Sequence, residues 1–130
     1  MNFDITILGS NSAIFSHGRH PTSQVVNVHN VHFLVDCGEG TQERLHENKV
    51  KWFKIDHVFI SHLHGDHYFG LIGLITTFNL LKRSNRLTIF GPNELKKIIA
   101  LQLKASNTLL NYELKFVATK DDEKRLVLDL

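Results

Sequence analysis

A short apolar run, HVFI at residues 57–60, breaks into SHLHGDH at residues 61–67, and no other segment limits the possible folds so tightly. Three imidazoles and a carboxylate within six residues are costly to bury without partners. They belong at the end of a buried strand, where a loop can present them together. His62 and His64, two apart in extended chain, project to the same side, and Gly65 is expected to turn the backbone sharply so that Asp66 and His67 face a second position. A lone His-x-His would be no more than a polar loop of surface histidines. At this density the pattern reads as a metal site with His62, His64, Asp66 and His67 as ligands. Nitrogen and carboxylate donors without thiolate suit zinc first, with manganese and iron(II) open. Such ions activate water and offset charge on phosphoryl oxygens, so hydrolysis, above all of a phosphodiester, is the expected chemistry.

The flanking segments supply a sheet and helices. Residues 3–8 alternate apolar side chains with Asp4 and Thr6, as a strand with one buried face does. Residues 11–23 are rich in Ser, Gly, Asn and His and should carry little regular structure. Residues 24–29 and 31–35 predict two strands joined at Asn30 by a tight hairpin. A short helix is expected over 39–48, with acidic groups in its first turn. After the strand at 57–60, the spacing of Phe69, Ile72, Leu74, Ile75, Phe78 and Leu81 predicts a largely buried helix over 68–82. A strand at 87–90 follows, then a helix from Pro92 to about Ala105, and strands at 112–118 and 125–128. Strands first, then strand and helix in alternation, indicate an α/β fold (α+β in mixed-sheet usage), with helices packed on a sheet.

Composition narrows the class without naming a partner. With 130 residues, 42% of them hydrophobic, the chain can build one core and no more. A formal net charge of +2 neither indicates nor excludes nucleic acid. Lys82, Arg83 and Arg86, followed by Lys96, Lys97 and Lys104, are read as a solvated helix face. The single cysteine, Cys37, excludes an intrachain disulfide and reads as small buried packing rather than a ligand. No signal-peptide pattern opens the chain and no run of 18 apolar residues occurs, so a cytoplasmic protein without a membrane partner is expected.

HLHGDH resembles the HxHxDH signature of the metallo-β-lactamase superfamily, and the surrounding text resembles the ribonuclease Z family along nearly the whole chain. ILGSNSA is similar to that family's opening strand and turn, VDCGEGTQERL to its DCGEGTQ block, FISHLHGDHYFGLIGLI to its metal loop and following helix, and LTIFGPNELKKII to the next strand, turn and helix. The resemblance implies a zinc-dependent endoribonuclease that removes the 3′ trailer from precursor tRNA. His62 and His64 would hold one zinc, Asp66 and His67 a second, and Asp66 would also transfer a proton as the catalytic residue. Asp36 would orient the metal loop by hydrogen bonding instead of ligating. Arg19 falls where the family has an arginine-bearing loop near the substrate, and Thr41 could line the pocket or simply start the helix. His17, His20, His29, His32, His46 and His57 match no ligand position.

The resemblance also implies what is missing. The family closes its site with downstream histidines and a bridging aspartate, and this chain would end just short of them. Residues 1–130 are therefore expected to form a single truncated domain, the N-terminal half of the metallo-β-lactamase αββα sandwich, inactive alone and exposing an apolar sheet face. The arm that grips tRNA in the family would be absent too. A homodimer is implied for the full-length family member. Two other readings stay open: another hydrolase of the same fold, such as a cyclic-nucleotide phosphodiesterase or arylsulfatase, and a non-catalytic remnant acting as a binding module.

Overall fold

The structure, a computed structural model, describes residues 3–10 and 20–119. Arg19, His17 and the strand expected at 125–128 lie outside the described residues.

Six strands form one mixed sheet in sequential order: β1 (Phe3–Gly9), β2 (Ser23–Val28), β3 (Val31–Val35), β4 (Ile55–Phe59), β5 (Leu87–Gly91) and β6 (Leu114–Ala118). The first three are antiparallel, and β3 to β6 run parallel. The β2–β3 hairpin closes through His29 and Asn30, both at positive φ (51° and 66°), the type I′ geometry whose twist matches that of the strands. Three helices fill the parallel crossovers: α1 (Thr41–Glu47), α2 (Leu71–Leu80) and α3 (Asn93–Ala105).

Right-handed crossovers between sequential parallel strands place every helix on the same side of a sheet. One core accordingly joins Leu8, Val25, Leu34, Val58 and Ile89 of the strands to Leu45, Leu74, Ile75, Phe78, Leu95 and Ile99 of the helices. Burying each such side chain is worth about 1.5–3 kcal/mol. The alternating residues face the other way. Paired across the sheet, Ile5, Val26, Phe33 and His57 form one row on the face away from the helices, buried at Phe33 (8% exposed) and open at Ile5. On its edge strand Phe3, Ile5 and Ile7 are 60%, 50% and 51% exposed. Farther in, Phe59 and Phe90 stack at 4.6 Å.

The helix expected from residue 68 begins three residues later, at Leu71, and this changes its buried face. Leu71, Leu74, Ile75 and Phe78 point inward, whereas Phe69 and Leu81 are exposed, because Phe69 lies in the turn before the helix and Leu81 caps its end. The basic cluster is also not a solvated helix face as a whole. Lys82, Arg83 and Arg86 follow the end of α2; Arg83 is buried against Asp56 at 2.6 Å, and Arg86 meets Glu113 at 2.8 Å. Lys96, Lys97 and Lys104 are exposed on α3, as expected.

All three helices end alike. The amide two residues beyond the cap returns to a carbonyl five residues back, in Val50–Leu45, Arg83–Phe78 and Thr108–Leu103. The intervening residue takes positive φ, being Lys49, Lys82 and Asn107 respectively. This Schellman closure usually employs Gly or Asn at that position.

Candidate metal centre

Strands β3 and β4 are parallel neighbours, so their C-terminal ends open on the same edge of the sheet. The chain leaves β3 through Asp36, which adopts a left-handed conformation (φ 59°) and donates its amide to the Phe59 carbonyl of β4. That turn carries the Asp36 carboxylate across to the loop following β4. Oδ1 accepts the Ser61 amide at 2.8 Å, and Oδ2 accepts the Ser61 hydroxyl at 3.0 Å and His67 Nδ1 at 2.7 Å.

The backbone fixes the same loop from below. Cys37 N donates to His67 O and Gly70 N to Cys37 O, so residue 37 is bonded on both sides to the segment bearing the ligands. The approach leaves no room for side chains. A Cβ on Gly38 would stand 2.6 Å from Asp66 O, and one on Gly70 would collide with the Gly38 carbonyl. Gly65, expected to turn the backbone sharply, opens a 3₁₀ turn, Gly65–His67, without a positive φ; the ring of Phe69 occupies the space a Cβ would need.

These constraints gather the four candidate ligands. The rings of His62 and His64 lie 4.6 Å apart, and those of His62 and His67 3.8 Å apart. His64 is exposed, whereas His62, Asp66 and His67 are half-buried. A carboxylate only accepts, so His67 donates its Nδ1 proton to Asp36 and keeps the Nε2 lone pair. Ser61, whose hydroxyl is donated to Asp36, accepts in turn from His62 Nδ1 at 3.0 Å, leaving His62 Nε2 free as well. These tautomers follow from the bonding network. They are the ones needed for metal ligation, where the other ring nitrogen is held by a carboxylate or similar acceptor.

The donors fit zinc in kind and in pair spacing. His67 Nε2 and Asp66 Oδ2 are 3.4 Å apart. A tetrahedron with arms of about 2.1 Å, the length of a zinc–nitrogen bond, has edges of about 3.4 Å. In number they fall short: among the described residues no group of three or more His, Cys, Asp or Glu side chains is arranged to hold an ion. Each ion would need further donors beyond these pairs.

Around this cluster, Thr41 is buried and donates its hydroxyl to Gly38 O at 2.7 Å, which ties the start of α1 to the DCG turn and keeps that hydroxyl from solvent. Glu39 is exposed. Cys37 is fully buried, and burial pushes its thiol up to about 12. Sequence reasoning did not single out Ser61. Its only signal was a hydroxyl residue directly before His-x-His, and its importance comes from Asp36, 25 residues earlier.

A mixed sheet with its helices on one face and a histidine–aspartate loop at the strand ends defines one half of a metallo-β-lactamase fold. The chain belongs to the family described as Anti-Pycsar protein Apyc1, whose model matches residues 3–119. It is also homologous to ribonuclease Z. It is 46% identical to the enzyme of Cytophaga hutchinsonii over 99% of this chain and 41% of that one, and 42% identical to that of Bacteroides thetaiotaomicron over 98% of this chain and 40% of that one. The chain thus spans about two-fifths of the length of these relatives. Crystal structures agree. Human tRNase Z, short form, superposes with a TM-score of 0.78 at 35% identity, over 91% of this chain and 47% of that one. A metallo-β-lactamase fold protein of Bacillus subtilis gives 0.70 at 20% identity, over 95% of this chain and 48% of that one, a likeness of fold alone. No described helix is long and apolar enough to cross a membrane.

Proposed function

We propose that this chain carries the histidine–aspartate half of a zinc-dependent phosphodiesterase centre acting on RNA, with the 3′ trailer of precursor tRNA as its substrate. The observation that carries the reading is the network from Asp36 through Ser61 and His67, which holds the Nε2 atoms of His62 and His67 in the ligating tautomer. Homology to ribonuclease Z over nearly all of this chain supports the RNA substrate.

In this reading His62 and His64 would hold one ion, and Asp66 and His67 the other. When bound, the metal supplies activation of water and offsets charge on the phosphoryl oxygens. Asp36 keeps the imidazole of His67 aimed, and Ser61 does the same for His62. Asp66, whose Oδ2 lies 3.4 Å from His67 Nε2, would take up a proton and return it to the departing oxygen. Further ligands would come from a segment beyond these residues, since catalytic zinc takes about three protein donors.

A second reading is hydrolysis of a small phosphodiester such as a cyclic nucleotide. It is favoured by the family model, whose description names an anti-Pycsar protein and not a ribonuclease. Parallel assays with zinc on a 3′-extended precursor tRNA and on cyclic nucleotides separate the two. Cleavage of the tRNA alone, abolished in Asp66→Ala, supports the first; turnover of the cyclic nucleotide alone overturns it in favour of the second.

A further inference from the structure

A cavity of 690 Å³ lies away from the metal loop. It lies between the stretch that leads from α1 into β4 and the stretch that leads from α2 into β5. Both feed the N-terminal ends of their strands, whereas the metal loop leaves the C-terminal end of β4. Five strand residues at about 3.3 Å each put roughly 17 Å between them. Residues of the proposed hydrolytic centre play no part in this cavity.

Its chemistry is one-sided. Trp52 is half-buried, Phe53 is 67% exposed, and Phe78 is part of the core beneath them. Lys49, Lys51, Lys82 and Arg83 join His46 in the lining, which contains no aspartate or glutamate. The whole chain holds 15 Lys and Arg against 13 Asp and Glu, so this segregation is local. Arg83 contributes a fixed charge. Its side chain is 4% exposed, its guanidinium stands 4.8 Å over the Phe78 ring, and Nη1 is buried without a hydrogen-bond partner among the described residues. Asp56 balances Arg83 through Nη2, and the lining offers the three lysines no acidic side chain.

Two of those lysines occupy costly positions. Lys49 (φ 55°) and Lys82 (φ 60°) close helices α1 and α2 in the left-handed conformation, while α3, away from the cavity, closes with Asn107. A long side chain costs roughly 1 kcal/mol more than Gly in that conformation. The two departures from the favoured residue both flank this one groove.

We propose that this cavity binds a nucleotide, with the base against Trp52 and Phe53 and the phosphate among Lys49, Lys51 and Lys82. Flat aromatic surface beside clustered cations, without carboxylates, is how proteins hold nucleotide units of single strands, and a free mononucleotide offers the same groups. The site is separate from the proposed metal centre and does not rest on its activity.

Trp52 is the only tryptophan in the chain, so its fluorescence reports on the cavity alone. Titration with adenosine 5′-monophosphate, adenosine, inorganic phosphate and single-stranded hexaadenylate is expected to give saturable quenching by the first and last. Adenosine and phosphate should each bind at least about tenfold more weakly, as expected when stacking and charge act together. Lys51→Glu and Lys82→Glu, both at exposed positions, should each weaken binding about fivefold with unchanged melting temperature. The double substitution His62→Ala with His64→Ala should leave it intact. Much tighter binding of hexaadenylate than of the mononucleotide identifies a single strand as the source, and equal binding a free nucleotide. Absence of saturable quenching by either, or quenching that both lysine variants leave unchanged, overturns the proposal.

Discussion

Asp36 accepts three hydrogen bonds from the loop it positions. An amide in its place keeps the shape but offers one accepting oxygen where the carboxylate offers two. Asp36→Asn is therefore expected to lower zinc affinity about 10–100-fold, measured by competition with a chromogenic chelator, with the melting temperature as a control for folding. Asp36 was legible in the sequence only through the DCG block it belongs to. Its left-handed turn and its bond to Ser61 were not, since both depend on where β4 lies beside β3.

Three further side chains set how stability responds to pH. Burial raises Cys37 from 9.0 to about 12, and burial raises Tyr112 from 10.0 to about 12, with Arg83 nearby opposing the shift. For both, the contribution to stability is complete below the unfolded value and is lost as pH rises through the window from about 9 to 12. His57 is shifted the other way, lowered from 6.5 by burial, with Asp56 opposing. Its contribution is present above the unfolded value and lost as pH falls through the folded one. Urea unfolding across pH should thus show a plateau near neutrality with losses on both sides. His57→Phe should remove part of the acid loss alone; an unchanged acid limb would contradict this account of His57.

At the scale of elements, the metal loop and the DCG turn are joined by backbone hydrogen bonds as well as through the Asp36 carboxylate. Gly70→Ala drives a methyl group into the Gly38 carbonyl, and the turn can yield only by moving Cys37, which is bonded to His67. A loss of about 1–3 kcal/mol in urea denaturation is expected, as for overpacking elsewhere. An alanine variant as stable as the parent would show that the turn is looser than described. The strands and the hairpin were legible because alternation and the asparagine turn are local signals. The start of α2 was not. Tyr68, Phe69 and Gly70 continue an apolar pattern that a helix could use, but hydrogen bonding to residues 37 and 65 holds them in a turn.

Among the described residues the helices cover one face of the sheet and no element lies on the other, a consequence of sequential parallel strands with helices on a single side. That much followed from the order of the elements. Alternation puts Phe3, Ile5 and Ile7 on one face, expected to be buried; in the structure that face is exposed because the helices pack on the other side. Sedimentation of the isolated chain should show association that grows with concentration. Ile5→Lys with Ile7→Lys should reduce it at little cost in stability, because exposed apolar side chains contribute little to the core. Equal association of parent and variant would place the contact elsewhere. The burial of Arg83 was likewise invisible in sequence, where a run of basic residues carries no sign of Asp56 waiting 27 positions earlier.

The metal loop carries the proposed chemistry, and zinc binding to the purified chain at equilibrium, read by dialysis against graded zinc, tests it most directly, since donor pairs without further ligands hold an ion weakly. Saturable zinc binding by the parent that weakens at least about tenfold in His62→Ala and in Asp66→Ala is the result predicted for ligands removed from a real centre. Zinc absent from the parent, or retained equally by both variants, would contradict it.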